Sequence, residues 1–399
     1  MLNPFFNYIG AGLLIFVIFF FKWSNIYQEL DLPLVIFIVF NMITSLVLGM
    51  LLKDKLKYKN PKGIPFNPYI VLFLIYLGFI INLIYAKEIP IVNLILKTGT
   101  PYKDIQQIPS FYPILTSVNV FFIIYYFFHF TVKRERKLLM ASVILFLPPI
   151  ANMGRGIFIM SIIPIILIFL SQKTNLLKLN SIFKGSIVIF LGILLFGYLG
   201  NLKSNTKRNI NKESSELILE LGEATPKFKE SYLPKSFFWV YLYSVSPVCN
   251  LNNTINISKN ENGIFKEYIV YNFLPQSFQK RILGKFEKDK SYLVKDTFNV
   301  STAFALPYLQ FGWFGLVLFQ ILLYLGFIIL LFLLQKSDYK VIFLALFSTI
   351  MMLSWFANIL VLDVIFIPIL LCLFLAFIAN RIILPKFVFR IKKYNKQEE

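Results

Sequence analysis

Hydrophobic residues along this chain come in blocks, separated by short polar stretches. GAGLLIFVIFFF near the N-terminus and PLVIFIVFNMITSLVLGMLL after it carry no charged residue. About twenty apolar residues in a helix match the thickness of a hydrocarbon core. On that basis spans are expected at 4–22, 33–52, 69–86, 113–132, 138–153, 156–170, 183–200, 313–334, 341–359 and 361–380. A backbone in lipid must satisfy its own hydrogen bonds, which a helix does within one segment. The fold class is therefore an all-α polytopic membrane protein of about ten transmembrane helices. Three regions follow: helices 1–7 over 1–200, one large external loop over 201–300 between helices 7 and 8, and helices 8–10 with a basic tail over 301–399.

Composition agrees with this pattern. Hydrophobic residues make up 57% of the chain and charged residues 15%, against about 25% charge in a soluble domain. The net charge of +20 does not call for nucleic acid, because the basic residues flank apolar blocks. One set of short loops holds Lys53, Lys55, Lys57, Lys59 and Lys62; Lys133, Arg134, Arg136 and Lys137; Lys173, Lys178 and Lys184; and Lys336 and Lys340. The alternate loops are poorer in Lys and Arg. Excess positive charge marks the cytoplasmic side, so both termini are expected there and the 201–300 loop outside. The first block lacks a small-residue cleavage site and reads as an uncleaved helix. Cys249 and Cys372 fall at different depths, so no disulfide is expected.

The large loop holds 15 basic and 10 acidic residues, with Tyr, Trp and Pro throughout, and reads as a small folded or membrane-resting cap. ESSELILELGEA at 213–224 suggests a short acidic helix. QSFQKRILGKFEK at 276–288 suggests a basic amphipathic helix, with Phe278, Ile282, Leu283 and Phe286 on one face and Arg281, Lys285 and Lys288 on another. Such a helix lies well on a lipid surface and packs equally well on a cap.

Several chemistries lack their residues. There is no GxxxxGK phosphate loop, no HExxH or Cys–His set for zinc, and no paired Asp–x–Asp. The single histidine, His129, sits at the cytoplasmic end of the fourth span. Neither a metal nor a cofactor is called for. Arginine remains. Arg155 lies in ANMGRGIF between two spans too short for a full crossing. It should therefore sit recessed below the outer surface, where charge is costly and marks a functional candidate; the alternative is an arginine snorkelling to headgroups. Gly154 and Gly156 would allow a tight turn there. Arg208 and Arg281, with Lys203, Lys207 and Lys280, could line an anionic site, since Arg suits bidentate phosphate binding. In TFNVSTAFALPYLQFGWFG, residues Asn299, Ser301, Thr302, Tyr308 and Gln310 stand where the chain re-enters the membrane, with Gly312 and Gly315 breaking the helix start. They suit sugar hydroxyls, or equally caps and interfacial anchors. Asp363 in the last hairpin is a weaker candidate.

These pieces together resemble bacterial O-antigen polymerases of the Wzy type, the oligosaccharide repeat unit polymerases. The resemblance rests on Gly154–Arg155–Gly156 after the fifth span, the large loop before the last three spans, and Asn299, Thr302, Tyr308, Phe311 and Gly312 at the loop's end. Gln310 stands where many members carry an acid. The resemblance implies a GT-C-like glycosyltransferase architecture in the bacterial cytoplasmic (inner) membrane. It also implies a glycan donor on polyprenyl pyrophosphate and an acceptor repeat unit on a second such lipid. Polyprenyl-pyrophosphate-linked oligosaccharide and membrane lipid would be the partners, with a flippase and a chain-length regulator, and no nucleic acid. Arg155, then Arg208 and Arg281, would stabilise the leaving pyrophosphate, with Lys207 and Lys280 beside it. Asn299, Thr302, Tyr308 and Gly312 would line the substrate. A general base would deprotonate the acceptor; Glu223, Glu267 and Asp296 are available. Two alternatives stand beside this: an O-antigen ligase, expected to use a loop histidine that 201–300 lacks, and a flippase-type transporter, whose internal repeats are not seen.

Overall fold

A computed structural model describes residues 2–59, 61, 63–96, 105–152, 154–172, 190–194, 196–201, 214–258, 263–284 and 292–379. Among them the chain is helical throughout, and its one β pairing is an isolated bridge between Ser24 and Ala224. The apolar helices make it a membrane protein. Four helices are long and apolar enough to cross a bilayer: α2 (Leu32–Leu51), α3 (Pro68–Ala86), α5 (Phe111–Lys133) and α15 (Ala305–Leu333). Shorter apolar helices accompany them: α1 (Pro4–Phe19), α8 (Arg155–Ser171), α9 (Phe190–Asn201), α16 (Lys340–Leu353) and α17 (Asp363–Ile378). Between these lie α4 (Pro90–Leu96), α6 (Arg136–Ile144) and α7 (Leu147–Ala151), then α10 (Glu216–Leu221), α11 (Pro226–Lys229), α12 (Phe237–Ile257), α13 (Phe265–Phe273) and α14 (Gln276–Leu283).

Local chemistry sets the helix ends. The Asn3 side chain accepts from the amides of Phe5 and Phe6 ahead of Pro4, and Asn67 accepts from Tyr69 ahead of Pro68. Both are a capping side chain followed by a proline whose missing N–H costs nothing in the first turn. Lys87 and Arg134 end α3 and α5 in the left-handed conformation. At the centre stands α16, buried from Lys340 to Met351 and packed by α1, α8 and α17. A helix apolar on every side belongs in such a place. On the outside, α2 and α3 expose Ile36, Phe40, Ile43, Phe73, Leu74 and Ile84, a belt too large for a water-facing surface.

Hydrogen bonds sort the connecting segments into two groups. At one end of the bundle Lys340 Nζ donates to the carbonyls of Lys55 and Lys57, and Tyr58 pairs with Ser171. At the other, the Asp31 amide donates to Asn252 Oδ1, the Ala303 amide to the Ser354 carbonyl, and Asn358 Nδ2 to the Asn272 carbonyl. The described parts of 214–303 thus cover the end where α2, α15 and α17 begin.

Two elements differ from expectation. The fifth span, expected as one helix over 138–153, is broken between α6 and α7. Pro148 and Pro149 lack the amides that would bond the carbonyls of Ile144 and Leu145. Neighbouring helices supply the donors: the Tyr76 hydroxyl to the Ile144 carbonyl at 2.7 Å and Asn119 Nδ2 to the Leu145 carbonyl at 3.0 Å. Lipid offers no other source of hydrogen bonds. The polar loop also contains a long helix, α12, that its composition hid. Its first half is apolar and packs Phe238, Leu242 and Val245 into a second core with Trp23 and Phe228. Its second half uses asparagines as staples. Asn250 Nδ2 donates to the carbonyls of Phe298 and Val300 while its Oδ1 accepts from the Val294 amide. Asn253 Nδ2 donates to the Tyr292 carbonyl.

Candidate functional site

The α6–α7 break leads into the turn before Arg155. Gly154 donates its amide to the Pro149 carbonyl at 2.8 Å, and its own carbonyl accepts from Phe158 as α8 starts. The glycines act differently from the sequence expectation. Gly154 has φ −78°, which any residue adopts, and it is closeness that restricts it: a Cβ would lie 2.9 Å from Ile157 Cδ1 and 3.3 Å from the Pro149 carbonyl oxygen. Gly156 faces open space. Arg155 is the first residue of α8, so its backbone stands at the electropositive end of a helix.

The basic amphipathic helix exists as α14 and is shorter than the pattern suggested. Gly284, with φ +75° and ψ −148°, ends it, and 285–291 lie outside the described residues. None of its residues is buried. Phe278 and Ile282 are exposed, so its apolar face is not spent on protein packing. Its other face ties it to two helix starts. Arg281 Nη2 donates to Ser110 Oγ, beside the first residue of α5. Ser277 Oγ donates to Asp363 Oδ1 at 2.5 Å, at the start of α17, and the Ser277 amide points to the same oxygen at 3.4 Å. Ser277 and Arg281 are one turn apart, on one helix face. Lys280 is exposed. The structure therefore gathers two cations and a carboxylate on α14 and the helix ends beneath it. Asp363, ranked low from sequence, belongs to this group; its partner Ser277 gave no signal of its own.

The residues at the end of the loop are mostly spent on holding α15. Thr302 is buried and its Oγ1 accepts from the Phe304 amide at 3.3 Å, a local side-chain turn that leads the chain into α15. Tyr308 is buried, its hydroxyl donating to the Ile255 carbonyl and its ring edge-on to Trp313 at 5.7 Å. Gly312 has φ +58° and ψ −143° and forms a kink inside α15, a conformation that only glycine takes without strain. Gln310 Oε1 accepts from Asn272 Nδ2 at 2.7 Å, and the Gln310 carbonyl accepts from the Gly263 amide. Asn299 is exposed and is the one residue of the group whose surroundings leave it open to a ligand.

The candidate bases are spread out. Glu223 is paired with Lys295 at 3.1 Å. Glu267 is half-buried in the first turn of α13, and Asp296 is exposed. Lys203, Lys207 and Arg208 lie outside the described residues. His129 is buried in α5 against Tyr125, with ring centroids 4.3 Å apart. Cys249 and Cys372 are both free and buried. Among the described residues no group of three or more His, Cys, Asp or Glu is placed to hold a metal ion. Comparison with family models, with curated proteins and with solved structures returned no match.

Proposed function

We propose that the protein is a membrane glycosyltransferase that polymerises polyprenyl-pyrophosphate-linked oligosaccharide repeat units into a surface polysaccharide. The observation that carries the reading is α14. It is a helix with no buried side chain that sets Arg281 on the start of α5 and, one turn away, holds Asp363 through Ser277. Transfer of a lipid-linked glycan needs these parts. The acceptor hydroxyl attacks the anomeric carbon of the donor, the carbon–oxygen bond to pyrophosphate breaks, and lipid pyrophosphate leaves with the electron pair. The acceptor proton goes to a carboxylate. Charge developing on the leaving group is stabilised by fixed cations and helix N-termini. Arg281, Lys280 and Arg155 supply the first, α5, α8 and α17 the second, and Asp363 joins Glu223, Glu267 and Asp296 as a candidate base. The exposed Phe278 and Ile282 suit a helix resting where headgroup meets acyl chain, which is the depth of a prenyl-anchored pyrophosphate.

Orientation follows from charge. The end carrying Lys53, Lys55, Lys57, Lys133, Arg134 and Lys336 would face the cytoplasm by the positive-inside rule. The end covered by 214–303 would face outward, with about ten crossings and both termini inside the bacterial cytoplasmic membrane. Reporter fusions at Lys57 and Asn253 test this: a cytoplasmic signal at Asn253 would invert the arrangement.

The functional test is the surface glycan of cells carrying Arg155→Ala in place of the native residue. Losing one preorganised donor typically slows transfer about 100–1000-fold, so single repeat units should reach the surface without long polymer while membrane levels of the protein stay near normal. Arg155→Lys keeps charge without the fork and should also be impaired. Polymer of normal length and amount in Arg155→Ala would remove the pyrophosphate role.

A further inference from the structure

The α1–α2 connection and the segment after α10 enclose a cleft of about 220 Å³, built from elements other than α14. The half-buried ring of Tyr27 walls it, backed by the buried Tyr241 with its centroid 6.2 Å away. The side chains of Asn25 and Gln28 are exposed at its rim. Its one lysine, Lys22, is already paired with Glu29 at 2.9 Å, so the lining carries no net charge.

The walls are fixed. The Asn25 amide donates to the Glu223 carbonyl at 3.0 Å, the Thr225 amide to the Trp23 carbonyl at 2.9 Å, and Ser24 Oγ to the Gly222 carbonyl at 2.5 Å. Lys22 at φ 49° and Glu223 at φ 48° flank these cross-links where α1 and α10 end, the Glu223 amide closing α10 on the Glu220 carbonyl and the Ala224 amide on the Leu219 carbonyl.

Charge and shape narrow the ligand. A phosphate or carboxylate would find the cation taken. A large apolar ligand would need more than this volume, since sites for drug-sized molecules run from about 300 Å³ upward. A sugar ring offers an apolar C–H face for the Tyr27 ring and a rim of hydroxyls that both donate and accept. Side-chain amides do both as well.

We propose that this cleft binds one uncharged sugar ring of a glycan. It rests on the polymerase reading only in taking the glycan as the substrate's own, and it gives the enzyme a second hold on the saccharide, apart from the pyrophosphate end.

The test uses the full chain in lipid nanodiscs, titrated with the oligosaccharide released from the host's surface polysaccharide by mild acid. Trp23 packs on Tyr241 at 5.4 Å and reports occupancy by fluorescence. A saturable change is expected. Asn25→Ala with Gln28→Ala, which alters only exposed side chains, should raise half-saturation about tenfold, the loss of two neutral hydrogen bonds. Titration with inorganic pyrophosphate should be the same in variant and wild type. Equal half-saturation for the oligosaccharide in both proteins, or no saturable change at all, would overturn the assignment. Polymerisation of lipid-linked repeat units, assayed in parallel, separates the two claims. Variant-sensitive binding without polymerisation keeps the cleft and removes the polymerase, and polymerisation with variant-insensitive binding does the reverse.

Discussion

Lys340 and Arg281 are both cations at the ends of the bundle, and their surroundings treat them oppositely. Lys340 is 3% exposed. Its three N–H groups are taken by the carbonyls of Lys55 at 2.6 Å and Lys57 at 2.5 Å and by Gln335 Oε1 at 3.0 Å. An ammonium has no further donors, so this end is closed around its charge and the 52–58 turn is fixed to α16. Arg281 lies exposed on a helix with nothing buried, and of its five donors one reaches Ser110 Oγ. A cation whose donors are all satisfied by backbone serves the fold. One that keeps donors at an open helix surface is available to an anion.

Removing Lys340 should break the closed end with the largest effect on stability. Lys340→Met leaves the Lys57 carbonyl and Gln335 Oε1 without a donor, while Gln335 Nε2 still donates to the Lys55 carbonyl, at a cost of about 2 kcal/mol. The unfolding midpoint in detergent should fall clearly below wild type. An unchanged midpoint would mean that the 52–58 turn does not depend on this clamp. Next comes the kink above the open end. Gly312→Ala places a side chain at φ +58° and should cost about 1–3 kcal/mol, read as a lower midpoint and less folded protein in the membrane. A neutral result would show that α15 can straighten. Smaller again is Ser277→Ala, which removes one hydrogen bond to Asp363 and should cost about 1 kcal/mol. Its effect on polymer yield should exceed its effect on the midpoint, because the bond ties a carboxylate to α14 one turn from Arg281. A loss of yield matched by an equal loss of folded protein would make Ser277 a staple like Asn250. Asn299→Ala should move stability by less than about 0.5 kcal/mol, as for an exposed side chain, so any drop in polymer from it reports substrate contact alone.

The sequence showed the apolar helices because blocks of Leu, Ile and Phe state their period and length without help from tertiary contacts. It also showed α14, whose basic and apolar faces are written at helical spacing. It did not show α12, because the asparagines that make its second half useful as staples also make it read as loop. Pro148 and Pro149 marked the α6–α7 break, yet the run of apolar residues around them outweighed the punctuation. For the site, Arg155 stood out as a charge in an apolar setting and Arg281 as part of the basic face of an amphipathic helix. Asp363 looked like a turn residue, since nothing local announces that Ser277, far away in sequence, will donate to it. The end-of-loop group illustrates the opposite case. Thr302, Tyr308 and Gly312 have the composition of a sugar site, while their atoms are occupied in starting and bending α15.

The contrast between a sealed end and an open, cationic end bears on catalysis most directly in a reconstituted reaction. The purified chain in vesicles without any ion gradient would be supplied with polyprenyl-pyrophosphate-linked repeat units, and product length followed on a gel. The account predicts glycans lengthened by whole repeat units, with lipid pyrophosphate released in step, and a loss of about 100-fold or more in Arg281→Ala. Repeat units that stay single, or that cross the bilayer unlengthened only when a gradient is imposed, would contradict it and make the protein a transporter.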